Sequence, residues 1–509
     1  PGCVTYHPFG SFALGNCVIQ NFNDKAVNVT LTIPIQEGKP NQFVDAFSGK
    51  PVAIRPARSK NNVTLDLPIR ARGRVWVRPE QGVRCAVEVE EVVTKYAPAN
   101  NGAGPLWCYG STVIARQGDD VYLSTIETGK DVPPLCNTRW QLWHRSQDGW
   151  RIAQNEEEYR QREPCPIAVF QRGPVFLSVN PSTEPVGTQY GRCNPLVLEF
   201  DREHLAGPAK TLTPAWADGT YFTDHSYRGF AADGHNGELL LVNINARTSE
   251  QFVSYRDNRG QWHRKGKITF PVRSCYPQVA LRDGSAHMMA IGDIVEPVKE
   301  WQKLKFEKLK RKWDYVFRLL FYTYTDDIKT AGFRSPVEID TVERTGGHIR
   351  NLDLHVDKTG LAHLLYLKQP HQYAFLRDKY FPGQPMTVHL EYAVVRDGKV
   401  LLRKTLAREP SKSGLEPSFA RFHVDSNERL YVIAAGTANR TFGNYLGRIR
   451  TGRGEPNFQR ITLEHPFRNF FTNTPRGGSQ PSDIIDLFGI ADDNPNLRYA
   501  RIRIGTARN

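Results

Sequence analysis

Seven times along this 509-residue chain, an apolar run meets a turn containing Asp or Gly and is answered by a second apolar run. Clear copies are Ile167-Ala-Val-Phe-Gln-Arg-Gly-Pro-Val-Phe-Leu-Ser and Leu354-His-Val-Asp-Lys-Thr-Gly-Leu-Ala-His-Leu-Leu-Tyr. The turns fall at Asp119, Gly173, Asp233, Asp283, Asp357, Asp425 and, in a degenerate copy, Asp492. They lie roughly 50 to 75 residues apart, a spacing typical of repeated β-units. Two short apolar strands around such a turn read as a hairpin. A single hairpin cannot bury its own face, so seven of them predict radial stacking. The expected fold is all-β: a seven-bladed β-propeller over residues 85–509, preceded by a small antiparallel β-sandwich over residues 1–84.

The remaining properties narrow the partners. Hydrophobic content of 39% suits a packed chain rather than a disordered one. No run of about 18 apolar residues exists, so no helical membrane span is expected. A net charge of +14 favours acidic partners by long-range attraction. No zinc-finger, helix-turn-helix or RNA-recognition signature accompanies that charge, so an acidic polysaccharide or glycan is expected in place of nucleic acid. None of the eight cysteines stands in a Cys-x-x-Cys pair, and no metal or cofactor is expected. The even count permits disulfides in an exported protein, and a secreted, cell-surface or periplasmic location is expected. Cys165 and Cys275 read as small buried residues. The chain begins at Pro1 beside its first strand pattern, which leads us to expect a larger polypeptide or assembly.

Two segments depart from the repeat. In residues 1–84, one stretch from Ala13 to Ile33 reads as two strands around an Asn-Asp turn, with Asn62-Val-Thr-Leu-Asp-Leu and Gly73-Arg-Val-Trp-Val completing an antiparallel set. From Glu296 to Trp313 the chain is rich in helix formers and lacks Gly, which predicts an inserted helix. Its lysines read either as a basic arm for an acidic ligand or as a solvated face. The alternating stretch from Cys85 to Val93 reads as a strand that closes the ring against Leu497-Arg-Tyr-Ala-Arg-Ile-Arg-Ile.

In a propeller, the loops entering the innermost strands surround the axis. Those approaches include Tyr109-Gly-Ser-Thr, Arg162-Glu-Pro-Cys-Pro, Asp224-His-Ser-Tyr-Arg, Ser274-Cys-Tyr-Pro, Gly347-His-Ile-Arg, Glu416-Pro-Ser-Phe-Ala-Arg and Gln480-Pro-Ser-Asp. Repeat geometry alone therefore gathers His225, Tyr227, Arg228, Tyr276, His348, Arg350 and Arg421 around one funnel. His355, His363 and His423 fall inside strands and read as structural. Asp233, Asp283, Asp357 and Asp425 read as turn formers.

Three stretches carry a resemblance: Phe222-Thr-Asp-His-Ser-Tyr-Arg-Gly-Phe-Ala-Ala-Asp-Gly, Cys275-Tyr-Pro-Gln-Val-Ala-Leu, and the run from Asn351 to Tyr366. Together they resemble the BNR-repeat proteins of the sialidase-like superfamily, and most of all seven-bladed polysaccharide lyases of the ulvan-lyase type. The segment from Val18 to Leu31, followed by Asp45-Ala-Phe-Ser-Gly-Lys-Pro, resembles the all-β accessory domains of multidomain glycoside hydrolases. The lyase resemblance implies a catalytic His at His225 and a catalytic Tyr at Tyr276. Arg228, Arg350 and Arg421 are positional candidates for an Arg that neutralises a uronate carboxylate, and Tyr227 and His348 for substrate contacts. A second His of some such lyases has no counterpart, since none occurs between His235 and His263. A sialidase reading has less to stand on: only Ser146-Gln-Asp-Gly-Trp faintly matches an Asp-box. Hydrolysis of an acidic glycan and non-catalytic binding of a glycan or protein both stay open.

Overall fold

The computed structural model describes residues 83–107, 110–312, 314–408, 414–450 and 455–505, together with seven strands nearer the N-terminus. Two compact units emerge: Pro1–Val83 with Arg450–Asn457, and Arg84–Ile449 with Phe458–Asn509. In the first, Val4–Pro8, Cys17–Asn21, Arg74–Pro79 and Phe43–Asp45 form one antiparallel sheet, and Val27–Pro34, Asn62–Ile69 and Ala53–Pro56 form another. The strands on either side of the expected Asn-Asp turn thus belong to different sheets and do not pair with each other.

The second unit is a seven-bladed propeller of four-stranded antiparallel sheets. Its innermost strands are Ile114–Gln117, Ile167–Val169, Gly229–Asp233, Ser274–Arg282, His348–Val356, Leu415–Val424 and Asn469–Thr472. Each touches the innermost strands of the blades before and after it, and the last touches the first. Inner and second strands are buried on both faces, so they read as continuous apolar runs such as Glu238–Ile244 (ELLLVNI). Outer strands keep one wet face, and the first half of Arg84–Lys95 alternates. The core lies between blades: Ile291 and Tyr322 of blade 4 pack with Ile349, Leu364 and Tyr366 of blade 5. Full burial of each such side chain is worth roughly 1.5–3 kcal/mol.

The ring closes as the sequence led us to expect. Arg84–Lys95 pairs antiparallel with Asn496–Gly505 and becomes the outer strand of blade 7. A buried ion pair adds to the closure: Arg116 of blade 1 donates two hydrogen bonds, of 2.6 and 2.7 Å, to Asp486 of blade 7.

Six of the seven turns join an inner strand to the second strand of its blade. The seventh does not. Asp492 lies between Ile484–Ile490 and Asn496–Gly505, the second and third strands of blade 7. The true inner strand is Asn469–Thr472, and the long segment 473–483 stands where the other blades have a short turn. Gln480-Pro-Ser-Asp is therefore no approach to an inner strand; it lies at the opposite end of the axis. The copy looked degenerate because it belongs to a different hairpin.

Helix α1 (Lys299–Leu309) is inserted in blade 4, between its second and third strands. Trp301 and Lys305 are its buried residues, whereas Phe306 is exposed. Lys305 lies 3.0 Å from Glu296 and 2.5 Å from Asp314, and Arg318 forks onto Glu296. Lys303, Lys308, Lys310, Arg311 and Lys312 face water, while Trp313 lies outside the described residues. Cys165 and Cys275 are fully buried, and burial pushes the Cys165 thiol up to about 12. No helix among the described residues is long and apolar enough to cross a membrane.

Two segments fill the axis. At one end, Ser111 Oγ accepts from the Phe230 amide, and Gly110 sits so close to Pro277 that an added Cβ would overlap its carbonyl. At the other, segment 473–479 lies along the inner strands: Val169 N–H donates to Gly477 C=O and Ala232 N–H to Arg476 C=O. Gly478, at φ +86°, presses on the Val169 carbonyl where no Cβ fits. The two ends of the propeller are thereby separate surfaces.

Candidate functional site

The approach loops of blades 3 to 5 place a row of rings at one end of the axis. Tyr227 lies between His225 and Tyr276, with ring centroids 6.1 and 5.1 Å away. From Tyr276 the row continues through Phe317 at 5.9 Å to His348, a further 5.8 Å on. Trp107 meets Tyr276 edge-on at 5.6 Å. His225, Tyr227, Tyr276 and His348, chosen from separate stretches of sequence, thus form one connected surface.

Local backbone geometry turns these side chains toward the axis. Tyr227 precedes its inner strand and Tyr276 lies near the start of its own, and both are left-handed, at φ +39° and +51°. For an aromatic residue this conformation costs on the order of 1–3 kcal/mol. A bulge between Cys275 and Gln278 follows, and similar register shifts occur at Asn351/Asp353 and Pro417/Phe419. Bulges at strand ends re-aim side chains. The strained Tyr276 peptide is pinned by Asn351, whose Nδ2 donates to the Tyr276 carbonyl at 2.6 Å.

His225 is half-exposed, with Nδ1 2.8 Å from the buried carboxylate of Asp224. The facing Asp224 oxygen accepts no hydrogen bond among the described residues, so the contact is one of charge proximity. Asp224 also lies 3.4 Å from Arg162, beside Glu163, which accepts a 2.5 Å hydrogen bond from Ser226. Asp224 thus belongs to a buried polar cluster. Burial pushes the Tyr227 phenol above its usual range, so this ring is a neutral wall. Burial, then the Arg350 and Arg318 cations, push His348 down to about 4, so it is neutral near pH 7.

The structure divides the arginines. Arg228 is buried and donates to the Ser178 and Pro164 carbonyls at 2.7 and 2.9 Å. Arg421 is buried against Phe419 and Phe471 and donates to the Phe470 and Leu352 carbonyls. Arg228 ties blade 3 to the second strand and entrance loop of blade 2, and Arg421 ties the inner strands of blades 5, 6 and 7, so neither faces the funnel. Their guanidinium groups satisfy carbonyls of neighbouring blades, a tertiary demand that spacing does not reveal. Arg350 is half-buried, over the Phe419 ring at 5.7 Å. Arg273, which the sequence did not single out, lies over Tyr227 at 5.4 Å and 2.8 Å from Asp293. Burial raises the Asp293 carboxyl, against the pull of Arg273. Asp224 and Arg273 had one available signal, their place beside His225 and Tyr276. Tyr109 lies outside the described residues.

No protein-family model matches the chain, and no curated protein is similar to it in sequence. Solved structures are similar in architecture. One is a polysaccharide lyase, Uly1, 11% identical, with 82% of this chain and 99% of that one covered at a TM-score of 0.49. Another is an α-L-arabinanase of Penicillium chrysogenum, 9% identical over 83% and 98% of the two chains, TM-score 0.40. A third is the GH93 α-L-arabinofuranosidase of Fusarium graminearum, 11% identical over 66% and 93%, TM-score 0.35. At such values the likeness concerns the fold, and no residue role is taken from it.

Proposed function

We propose that the protein is a carbohydrate-active enzyme that cleaves an acidic polysaccharide by β-elimination at a uronate. The observation that carries this reading is His225, with Nδ1 2.8 Å from buried Asp224, in one aromatic row with Tyr276. In this mechanism His225 Nε2 removes the proton α to the uronate carboxylate. The electron pair forms the new C=C bond as the bond from the β-carbon to the glycosidic oxygen breaks. Tyr276 gives that oxygen a proton, so one sugar leaves with a free hydroxyl and the other carries the double bond. Arg273 and Arg350 are the cations we assign to the carboxylate, where a guanidinium stabilises the developing enolate. Asp224 is a positioning residue.

We further propose an accessory β-sandwich over residues 1–84 and a propeller over residues 85–509. Export, and a place within a larger polypeptide or assembly, complete the proposal. Incubation with uronate-containing polysaccharides should yield products with new near-ultraviolet absorbance. His225→Ala and Tyr276→Phe should each lower turnover by roughly a hundredfold or more. Reducing ends without that absorbance would mean hydrolysis, and binding without either product would make the propeller a glycan-binding module.

A further inference from the structure

The opposite end of the propeller holds a cavity of about 280 Å³, lined by the turns between inner and second strands and by segment 473–483. Arg476 closes it off from the funnel, with Nη1 2.6 Å from the Gly110 carbonyl. Three polar groups in the cavity lack ordinary partners. His355 is 6% exposed, stacks on His363 and has no hydrogen bond from either ring nitrogen among the described residues. Arg282 uses Nη1 on the Val356 carbonyl at 3.2 Å, but its other nitrogens stand 3.7 Å from Asp283 and 3.8 Å from Glu428. Both separations exceed a hydrogen bond. Glu428, held at φ +59° in its turn, accepts no hydrogen bond among the described residues. His355, a buried polar side chain without a partner, loses free energy unless something else supplies one, whereas Arg282 and Glu428 are partly open, at 27% and 32%.

The chemistry of the wall selects the ligand. Ala232, Ala280, Leu281, Val356 and Pro475 supply an apolar side. Asp283 and Glu428 bring two carboxylates against the Arg282 guanidinium, whose Nε and Nη2 make no hydrogen bond among the described residues, while Asp233 is spent on turn donors and Arg476 is paired with Asp353. That balance disfavours an anion and suits hydroxyl groups, which donate to carboxylates and accept from Arg. The volume lies below that of drug-sized sites. We propose that this cavity binds one neutral sugar ring, with adjacent hydroxyls bridging Arg282 and Glu428 and another meeting His355. The site is separate from the funnel and does not depend on elimination occurring there.

The test is calorimetry and saturation-transfer NMR on the full chain with methyl glycosides of glucose, galactose, mannose, xylose, arabinose and rhamnose. At least one should bind, with a Kd on the order of millimolar. Glu428→Gln and Arg282→Gln, both at turns, should each weaken that binding about tenfold or more. His355→Leu should do the same, and circular dichroism would check that it folds. His225→Ala should leave the binding unchanged. The proposal falls if no glycoside binds at concentrations on the order of tens of millimolar, or if binding survives both turn substitutions. It also falls if His225→Ala abolishes binding, or if methyl glucuronide binds better than methyl glucoside.

Discussion

Arg476 and Asp353 meet on the propeller axis, Nε to Oδ1 at 3.0 Å, with both side chains almost fully buried. Arg476 comes from the segment between the first two strands of blade 7, and Asp353 from the inner strand of blade 5. The second Asp353 oxygen accepts from the Phe422 amide of blade 6. One carboxylate thus joins blades 5 and 6 to the axial segment of blade 7.

Removing one member of a buried pair leaves the other charge uncompensated. Asp353→Ala should therefore destabilise the propeller by about 3–5 kcal/mol. Urea unfolding followed by fluorescence would read this as a lower midpoint with an unchanged slope. A change below about 1 kcal/mol would mean that the axis is held by packing alone.

Ring closure should be equally sensitive to the chain end. Ile502 is buried and paired on both sides, with Ile485 and with Val87. Proline there removes a ladder donor from an inside strand, so Ile502→Pro should cost about 3 kcal/mol or more. Hydrogen exchange should show amides of Arg84–Lys95 losing protection first, because that strand has no other neighbour in its sheet.

The two classes of arginine should separate in kinetics. Arg273→Gln should raise KM for a uronate polymer about tenfold or more, since a charge-assisted contact is lost. Arg228→Met should leave KM near the parent value and lower stability by about 1–3 kcal/mol, because the Ser178 and Pro164 carbonyls lose their donor. If Arg228→Met raised KM with full stability, the assignment of these residues would be reversed.

Buried histidines should make stability depend on pH. His287 is held down at about 4, chiefly by burial, with its ring 2.6 Å from the Tyr322 hydroxyl. In the unfolded chain it titrates near its ordinary 6.5. As pH falls from 6.5 toward 4, the unfolded chain takes up a proton that the folded one refuses, so this contribution is lost on acidification. It is fully present above 6.5. His348 and His355 act in the same direction, whereas Glu156, raised to about 7 by burial, opposes them. Unfolding free energy measured across that window should slope less in His287→Gln, by up to about 1.4 kcal/mol per pH unit. An unchanged slope would mean that His287 is protonated in the folded protein.

Much of the propeller was legible because a blade is a local object. Strand, turn and strand follow one another in sequence, and Asp357 or Asp425 caps its own turn amides a few residues on. The closing strand was legible too, as a lone alternating run needing a partner. The seventh blade was misassigned because its inner strand is separated from the second by an eleven-residue segment, 473–483. No hairpin pattern survives such a gap.

Among the site residues, the repeat pattern gave their order and placed His225 and Tyr227 just ahead of an inner strand and Tyr276 and His348 at the start of one. Whether a side chain so placed faces the funnel or the core depends on bulges and left-handed residues at the strand entrances. Those follow from how neighbouring blades pack. Arg228 and Arg421 turned inward because carbonyls of adjacent blades needed donors, and Arg273 turned toward the rings because Asp293 lay beside it. Partners so distant in sequence leave no periodicity to read. The repeat fixed the blades; close packing between them decided which charges are structural and which stay available for a ligand.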